Sequence, residues 1–542
     1  MKFESPFSDR LGTNYCATDD EVLEIQQLIA EPTHKLLILE EEITKLEKAI
    51  ENLEKDRKNY NIFVEAHRAL ISPIRRMPLD VLSEIFLACL PTHRNCVMSA
   101  SEAPVILGRI CSSWRALSLE TPRLWARLHI AAPPWGTQWL DQQTSRRLET
   151  MKMWLARSAQ CPLSISLHGG HFMSPPETPP VAESAHPQST STLFVKELIA
   201  FAVRWQRVHF VIPSDGIQAL AHLKLQDVPL LQEIAVFTPP EHPPPDSRWT
   251  SFEILKSPLL TSFSAPGRDF DDLLPLRWNL LKELCVGGGS WESSLDGEKA
   301  LQLLSRCSQL ETCKLSVNAE SEPLLHATVD LPFLHTFHVD LGAASSCLFD
   351  RISSPNLREL VLRGQGERLP DFLAPCSKLE SLEIECSHMG RAALLDTLLV
   401  LPVTMRHIKL HEFAYGSGVP KTVDDEALAL LTLTAGQRCC PSLESLTLVC
   451  SSKISDSALK RFVLSRMGEG EFTGNPSLKR LRSHMPRDKE VDLKVDLKQY
   501  MDAGLDLEII YRPPINQDSS PWYGTTDAPN SWQPAWSVPT NW

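Results

Sequence analysis

The sequence predicts a chain of mixed α and α/β class: an N-terminal heptad helix, a small helical module, then an irregular repeat solenoid of the horseshoe type. Three observations predict it. Apolar residues recur at alternating spacings of three and four near the N-terminus. Two short amphipathic segments punctuated by prolines follow. A frame of three apolar positions then returns from Trp205 to about residue 481. The first two patterns have the helical period, and the third has the alternation of short strands.

Length and composition bound the reading. The chain has 542 residues, 54 Lys and Arg against 67 Asp and Glu, and a net charge of −13. It has no basic footprint for a phosphate backbone, so a general nucleic-acid binder is not expected. The 14 cysteines are too sparse for a disulfide scaffold. The opening residues have no secretory pattern, and no stretch is apolar enough to span a membrane. A reduced protein of the cytoplasm and/or nucleus is the expectation. Proline is in excess, 41 residues against a usual ~5%.

Residues 1–32 are polar, close with Pro32, and are expected to form a flexible leader. A helix is expected over 33–70. Leu36, Leu39, Ile43, Leu46, Ile50 and Leu53 form an a/d seam, and mixed charge lies between them. Arg57 then takes an a position and Tyr60 a d position. The seam suits either a homodimer through residues 33–60 or a helix docked on its own chain.

A helical module is expected over 72–130. Pro78 fits a first helical turn, where its missing N–H costs nothing, and Asp80 complements the helix dipole there. Leu82, Ile85, Phe86 and Cys89 make one apolar face, ended by Pro91. The same spacing returns at Leu107, Ile110, Cys111 and Trp114, and a third short element holds Leu124, Trp125 and Leu128. So small a unit cannot cover that much apolar surface by itself and requires a partner surface.

The residues SPIRRMPLDVLSEIFLACLP and LGRICSSWRALSLETPRLWARLHI resemble the F-box, in a version abundant in fungi that often carries a heptad helix just before it. The resemblance rests on Met77-Pro78, the Leu82/Ile85/Phe86 face, Ile110-Cys111, Trp114-Arg115 and the closing Pro122-Arg123-Leu124-Trp125. It implies docking on the Skp adaptor of a cullin-based ubiquitin ligase. Met77, Pro78, Leu82, Ile85, Phe86, Ile110 and Trp114 would form or support the adaptor-binding face. Met77 stands where leucine is commoner, a swap of similar volume.

Residues 131–192 read as a connector, with a Pro/Ser-rich exposed loop at 174–190. The repeat region is expected over 193–510. Nine L-x-x-L-x-L frames run from Trp205/Val208/Phe210 to Leu443/Leu446/Leu448, with weaker ones at Leu260/Phe263 and Leu478/Leu481. Most of their separations fall in the ~20–29-residue window of leucine-rich repeats. Proline precedes the frame by two residues at Pro229, Pro258, Pro332, Pro355, Pro441 and Pro476. Cysteine precedes it by three at Cys307, Cys376 and Cys440. That fixed phase is what a turn entering a short strand requires. The segment from Cys440 to Val463 looks like the cysteine-type leucine-rich repeat often found downstream of an F-box. There Cys440 and Cys450 would bracket the strand, Ser455 and Asp456 would open a helix, and Ala458, Leu459 and Phe462 would pack inward. Residues 511–542 form a Trp/Pro-rich tail expected to be disordered.

Catalytic signatures are missing. Gly287-Gly288-Gly289 lacks the Lys-Ser/Thr of a phosphate-binding loop, and no C-x-x-C or H-E-x-x-H occurs. His168-Gly169-Gly170 has no nucleophile elbow to serve. Cys439-Cys440 reads as repeat packing, and His335 and His338 as ordinary surface or core histidines. No metal, cofactor or enzymatic activity is therefore expected.

The expectation is a non-catalytic substrate-recognition subunit of a Skp-cullin-F-box ubiquitin ligase, binding the Skp adaptor and through it a cullin. A target protein would lie on the outward strand positions Glu359, Arg363, Glu383, Glu385, His407, Lys409 and His411, whose mixed charge suits a protein rather than a polyanion. The other reading is a scaffold that uses coiled coil and repeats without ubiquitin chemistry.

Overall fold

The computed structural model describes all residues except 1–4, 134–137, 170–189, 239–251, 267–273, 288–294, 320–327, 343–345, 413–421, 435–438, 450–452, 469–477 and 512–542. The Pro/Ser-rich loop up to residue 189, Cys450, Pro476 and the tail from 512 lie outside the described residues. The chain forms two compact units, Met1–Ile85 and Phe86–Trp542.

The first unit is dominated by one helix, α1 (Asp19–Leu70). It corrects the expected boundary at residue 33, because it starts inside the predicted leader. The Glu21 carboxylate accepts a hydrogen bond from the Thr18 N–H at 2.9 Å, and Asp19, Asp20 and Glu21 stand at the positive end of the helix dipole. Pro32 lies within the helix and does not end it. A proline removes one backbone bond at a cost of about 3 kcal/mol, and the turns on both sides propagate without it. All six seam residues from Leu36 to Leu53 are exposed. A 3-10 turn, Pro73–Arg76, leads to α2 (Leu79–Ala88), whose first bond runs from the Leu82 N–H to the Pro78 carbonyl at 3.0 Å.

In the second unit the predicted second helix of the small module is two helices, α3 (Leu107–Ile110) and α4 (Ser112–Glu120). Cys111 between them is fully extended, at φ −155° and ψ 171°, so helical periodicity on both sides concealed a break. Arg115 clasps the corner, its Nε donating to the Gly108 carbonyl at 2.8 Å. The Trp125 indole donates to the Ser118 carbonyl at 2.7 Å and meets the Trp154 ring edge-on at 4.8 Å.

Among the described residues, the rest of this unit is helices, one parallel sheet of fifteen strands, and a small parallel pair of Val329–Asp330 with Ile352–Ser353. Fourteen pair in chain order: β1 (Arg127–Ala132), β2 (Leu163–Gly169), β3 (Trp205–Val211), β4 (Glu233–Phe237), β5 (Ser262–Ala265), β6 (Glu283–Val286) and β7 (Thr312–Ala319). Then come β8 (Thr336–Leu341), β9 (Glu359–Gly364), β10 (Ser381–Glu385), β11 (His407–His411), β12 (Ser445–Val449), β13 (Arg480–Met485) and β14 (Asp506–Tyr511). The two-residue strand Leu295–Asp296 pairs beside β7. Each recognised frame from Trp205 onward supplies one strand. The register holds the frames in rows: Leu360 stands beside Phe337 on one side and Leu382 on the other, and Leu362 beside Val339 and Ile384. All of these side chains are buried. Each is worth roughly 1.5–3 kcal/mol when removed from water.

Two strands lie before the predicted repeat region, and a third, β14, lies past the last recognised frame. β1 falls in the predicted helical module and β2 in the connector, so the ladder begins at Arg127 rather than 193 and runs to Tyr511. Their apolar spacing is different: Leu124, Leu128 and Ile130 have one residue too many, and Leu163, Ile165 and Leu167 one too few. The connector also holds α5 (Gln138–Arg157) and the first three residues of α6 (Thr190–Ile199).

The phase of the prolines has a direct cause. Five of them occupy the second position of a four-residue turn closed by an N–H to carbonyl bond. These run from Leu231 to Val228, Leu260 to Ser257, Leu334 to Leu331, Leu357 to Ser354 and Leu443 to Cys440, at 3.1–3.3 Å. The fixed φ of proline suits that position. Cys307, Cys376 and Cys440 are the first residues of equivalent turns and are buried.

Helices return the chain between strands: α7 (Ser214–Leu220), α8 (Gly297–Arg306), α9 (Leu369–Leu373), α10 (Arg391–Leu399), α11 (Asp425–Leu431) and α12 (Asp456–Arg466). α12 starts where the sequence predicts it, with the Ser455 hydroxyl accepting from the Ala458 N–H at 3.2 Å and Leu459 and Phe462 buried. Among the described residues, no helix is long and apolar enough to cross a membrane.

Candidate functional site

Because side chains alternate along a strand, burying one set leaves the other set on the opposite face. On β7–β14 the middle row of that open face reads Lys314, His338, Val361, Glu383, Lys409, Thr447, Arg482 and Glu508. Parallel register brings opposite charges side by side. Lys409 Nζ lies 3.2 Å from the Glu383 carboxylate, and Arg482 Nε lies 3.3 Å from that of Glu508.

Three of the predicted target-binding residues form one cluster. Glu383 sits between Lys409 and His411, whose Nε2 is 3.3 Å from the same carboxylate oxygen. The His411 ring, and then the Lys409 charge, hold the Glu383 carboxyl down at about 2 against the opposing effect of burial. His411 differs from expectation in exposure: it is buried, so its ring braces Glu383 rather than facing solvent. Strand alternation by itself does not show that burial.

The other four are spread around this cluster. Glu359 lies 3.5 Å from His338 Nε2. Burial and the Lys314 charge push the His338 imidazole down, with Glu359 opposing them. Arg363 is exposed and stands beside Asp340, whose carboxyl is pushed up by burial and pulled back by that guanidinium. Glu385 pairs in register with His411, and the exposed His407 stands between Ser381 and Ser445.

A second charged row was missed in the sequence. It is the residue after the first apolar position of each frame from Leu281 onward: Lys282, Glu311, His335, Arg358, Glu380, Arg406, Glu444 and Lys479. Each N–H from Glu311 onward donates to the carbonyl of the preceding member, at 2.7–2.8 Å. The side chains add ion pairs: Lys282–Glu311 at 2.6 Å, Arg358–Glu380 at 3.5 Å, Arg406–Glu444 at 3.6 Å and Lys479–Glu444 at 2.8 Å. Sign alternation from frame to frame was the readable signal. These pairs are largely exposed, so each adds at most about 1 kcal/mol.

The adaptor-face residues divide between the two units. In the first, Met77 is half-buried, Pro78 and Ile85 are exposed, and Leu82 is buried. In the second, Phe86 is fully buried and its ring packs on Trp114 at 4.8 Å between centroids, while Ile110 is 57% exposed. Phe86 and Trp114 therefore support a surface, and Ile110 is part of one. Ile106 and Leu119 are exposed beside it in sequence, at 39% and 43%. The polar insert between the helices fastens to the sheet edge: the His129 N–H donates to the Cys96 carbonyl at 2.7 Å, and Asn95 bonds the Ser164 and Ser166 hydroxyls at 2.9 and 3.2 Å. Backbone groups of β1 that would otherwise lie open are covered in this way.

Among the described residues, no group of three or more His, Cys, Asp or Glu side chains has the arrangement of a metal site. Gly287, directly after β6, has φ +102°.

No family model matches the chain, and no curated protein matches it. Among solved structures the chain is similar to one described as the crystal structure of the Rad7 and Elc1 complex in yeast. The identity is 13%, the match covers 60% of this chain and 86% of that one, and the TM-score is 0.32. A fit this loose carries no argument about fold or partners.

Proposed function

We propose that this chain is the non-catalytic substrate-recognition subunit of a Skp-cullin-F-box ubiquitin ligase, acting in the cytoplasm and/or nucleus. In this reading the F-box-like segment docks on the Skp adaptor and through it a cullin, and the parallel sheet is a leucine-rich-repeat solenoid whose charged face holds a target protein. Ubiquitin transfer then proceeds by proximity, as the bound target raises the local concentration of its lysines near the charged conjugating enzyme.

One observation carries the adaptor reading. Ile106, Ile110 and Leu119 stand exposed on a module whose own aromatic pair, Phe86 and Trp114, is already packed. We read these exposed apolar side chains as the surface the adaptor would cover. The charged strand face supports a protein target, since neighbouring cations and anions suit a ligand with both signs.

The test is binding of the purified full chain to an Skp adaptor by calorimetry, with Ile110→Glu as the surface variant. Ile110 is already in water, so the variant should fold as the parent does while losing at least about tenfold in affinity. A parent chain that does not bind the adaptor, or an Ile110→Glu variant that binds equally well alongside a neutral Pro78→Ala, removes the ligase reading and leaves the scaffold reading.

A further inference from the structure

α1 is 52 residues long, roughly 78 Å at 1.5 Å per residue, and its apolar seam is open to water. The six side chains from Leu36 to Leu53 are each 53–68% exposed. The row continues in phase through exposed Val22 and Ile29 before it, and Tyr60 and Val64 after it. A helix of this length draws most of its stability from packing of its apolar stripe, and none of the described residues of its own unit covers this stripe.

The chemistry of the seam selects the occupant. With Leu36 at a, the central layers have Ile43 and Ile50 at a and Leu46 and Leu53 at d. β-branched residues at a with leucine at d fit the hole geometry of a parallel two-stranded coil. The flanking charges agree with parallel chains. The e positions are Glu40, Glu47 and Glu54, and the g positions are Lys35, Glu42, Ala49 and Asp56. Antiparallel pairing packs the three glutamates against the same row of the other helix, so every charged e contact repels. Parallel pairing sets Lys35 against Glu40 of the second copy, leaves Ala49 opposite Glu54, and keeps a single repelling pair, Glu42 with Glu47. Arg57 at an a layer meets Asp56 at the adjoining g position of the second copy, and a lone polar a layer of this kind fixes register.

We propose that α1 forms a parallel, in-register, two-stranded coiled coil with a second copy of this chain, through Leu36–Tyr60. The inference rests on α1 alone. A chain that dimerises without binding the adaptor upholds it, and a monomer that binds the adaptor refutes it while leaving the ligase reading standing.

Sedimentation equilibrium of the full chain at about 1–50 µM should give twice the 60.8 kDa chain mass. Ile43→Asp with Ile50→Asp should weaken association at least about 100-fold, because each places a desolvated charge in a central layer. Tryptophan fluorescence should show the second unit of that variant unchanged. Orientation is read by oxidative cross-linking over the background of the parent chain. Leu39→Cys by itself should cross-link. Cross-linking only when Leu39→Cys is mixed with Ile50→Cys shows antiparallel chains and overturns the proposal, as does a monomer at 50 µM or a trimeric mass.

Discussion

Glu383 is the charge on which the middle of the open sheet face is organised, and its contribution to stability has a calculable pH dependence. Its carboxyl is held at about 2 in the fold, first by the His411 ring and then by Lys409. In the unfolded chain a glutamate titrates near 4.3. At 1.36 kcal/mol per pH unit the difference corresponds to about 3 kcal/mol at neutral pH. The folded value is the lower one, so this stability is fully present above about 4.3 and is lost as pH falls through 2. The same linkage leaves about 1.4 kcal/mol at pH 3 and less than about 0.5 kcal/mol at pH 2. Glu383→Gln keeps the shape and removes the charge. Urea unfolding followed by tryptophan fluorescence should place the variant about 3 kcal/mol below the parent at pH 7, with the gap narrowing to about half by pH 3. A gap under about 0.5 kcal/mol at pH 7, or one that does not change with pH, would refute the assignment of Glu383 as the anion clamped by Lys409 and His411.

Three further outcomes follow from packing. Gly364 has φ +101°, and a Cβ there would stand 1.7 Å from the Leu341 carbonyl oxygen, so Gly364→Ala should cost well over about 2 kcal/mol in the same unfolding assay. Arg466 is buried, and its guanidinium donates to the carbonyls of Leu431, Cys439 and Cys440, with burial pulling its pKa down to about 10. Arg466→Met should lose about 2–4 kcal/mol, since two buried carbonyls and one half-buried one are left without that donor. Phe86→Ala should cost about 3–5 kcal/mol through loss of the Trp114 contact, whereas Ile110→Ala should change stability by under about 1 kcal/mol.

The repeat frames were legible because burial on one face of a strand imposes a period of two, and an entering turn imposes a proline or cysteine at fixed phase. Pro258 and Cys376 mark their turns as clearly in the sequence as in the structure. β1 and β2 were not legible, because their apolar spacing departs from the frame and they became strands by pairing with neighbours. The start of α1 at Asp19 was concealed by Pro32, a residue that usually ends a helix but is tolerated when long flanking runs continue. The break at Cys111 has the same origin in reverse: both sides keep helical spacing, and only the backbone turn clasped by Arg115 separates them.

The candidate face shows the same division. Alternation placed Glu359, Glu383, Lys409 and His407 on one side of the strands, and the register confirms that placement. Which of them touch was a matter of tertiary structure. Glu383 and Lys409 are 26 residues apart in sequence and 3.2 Å apart in space because consecutive repeats stack in parallel. His411 keeps the alternation but is buried, which alternation alone does not foretell. What the sequence by itself determined was local: the heptad seam, the amphipathic segments and the phase of each strand, all set by periodicity and turn chemistry. The stacking register decided the rest, because only contact between distant segments settles which charges meet and which apolar side chains, such as Ile110 and the α1 seam, remain in water.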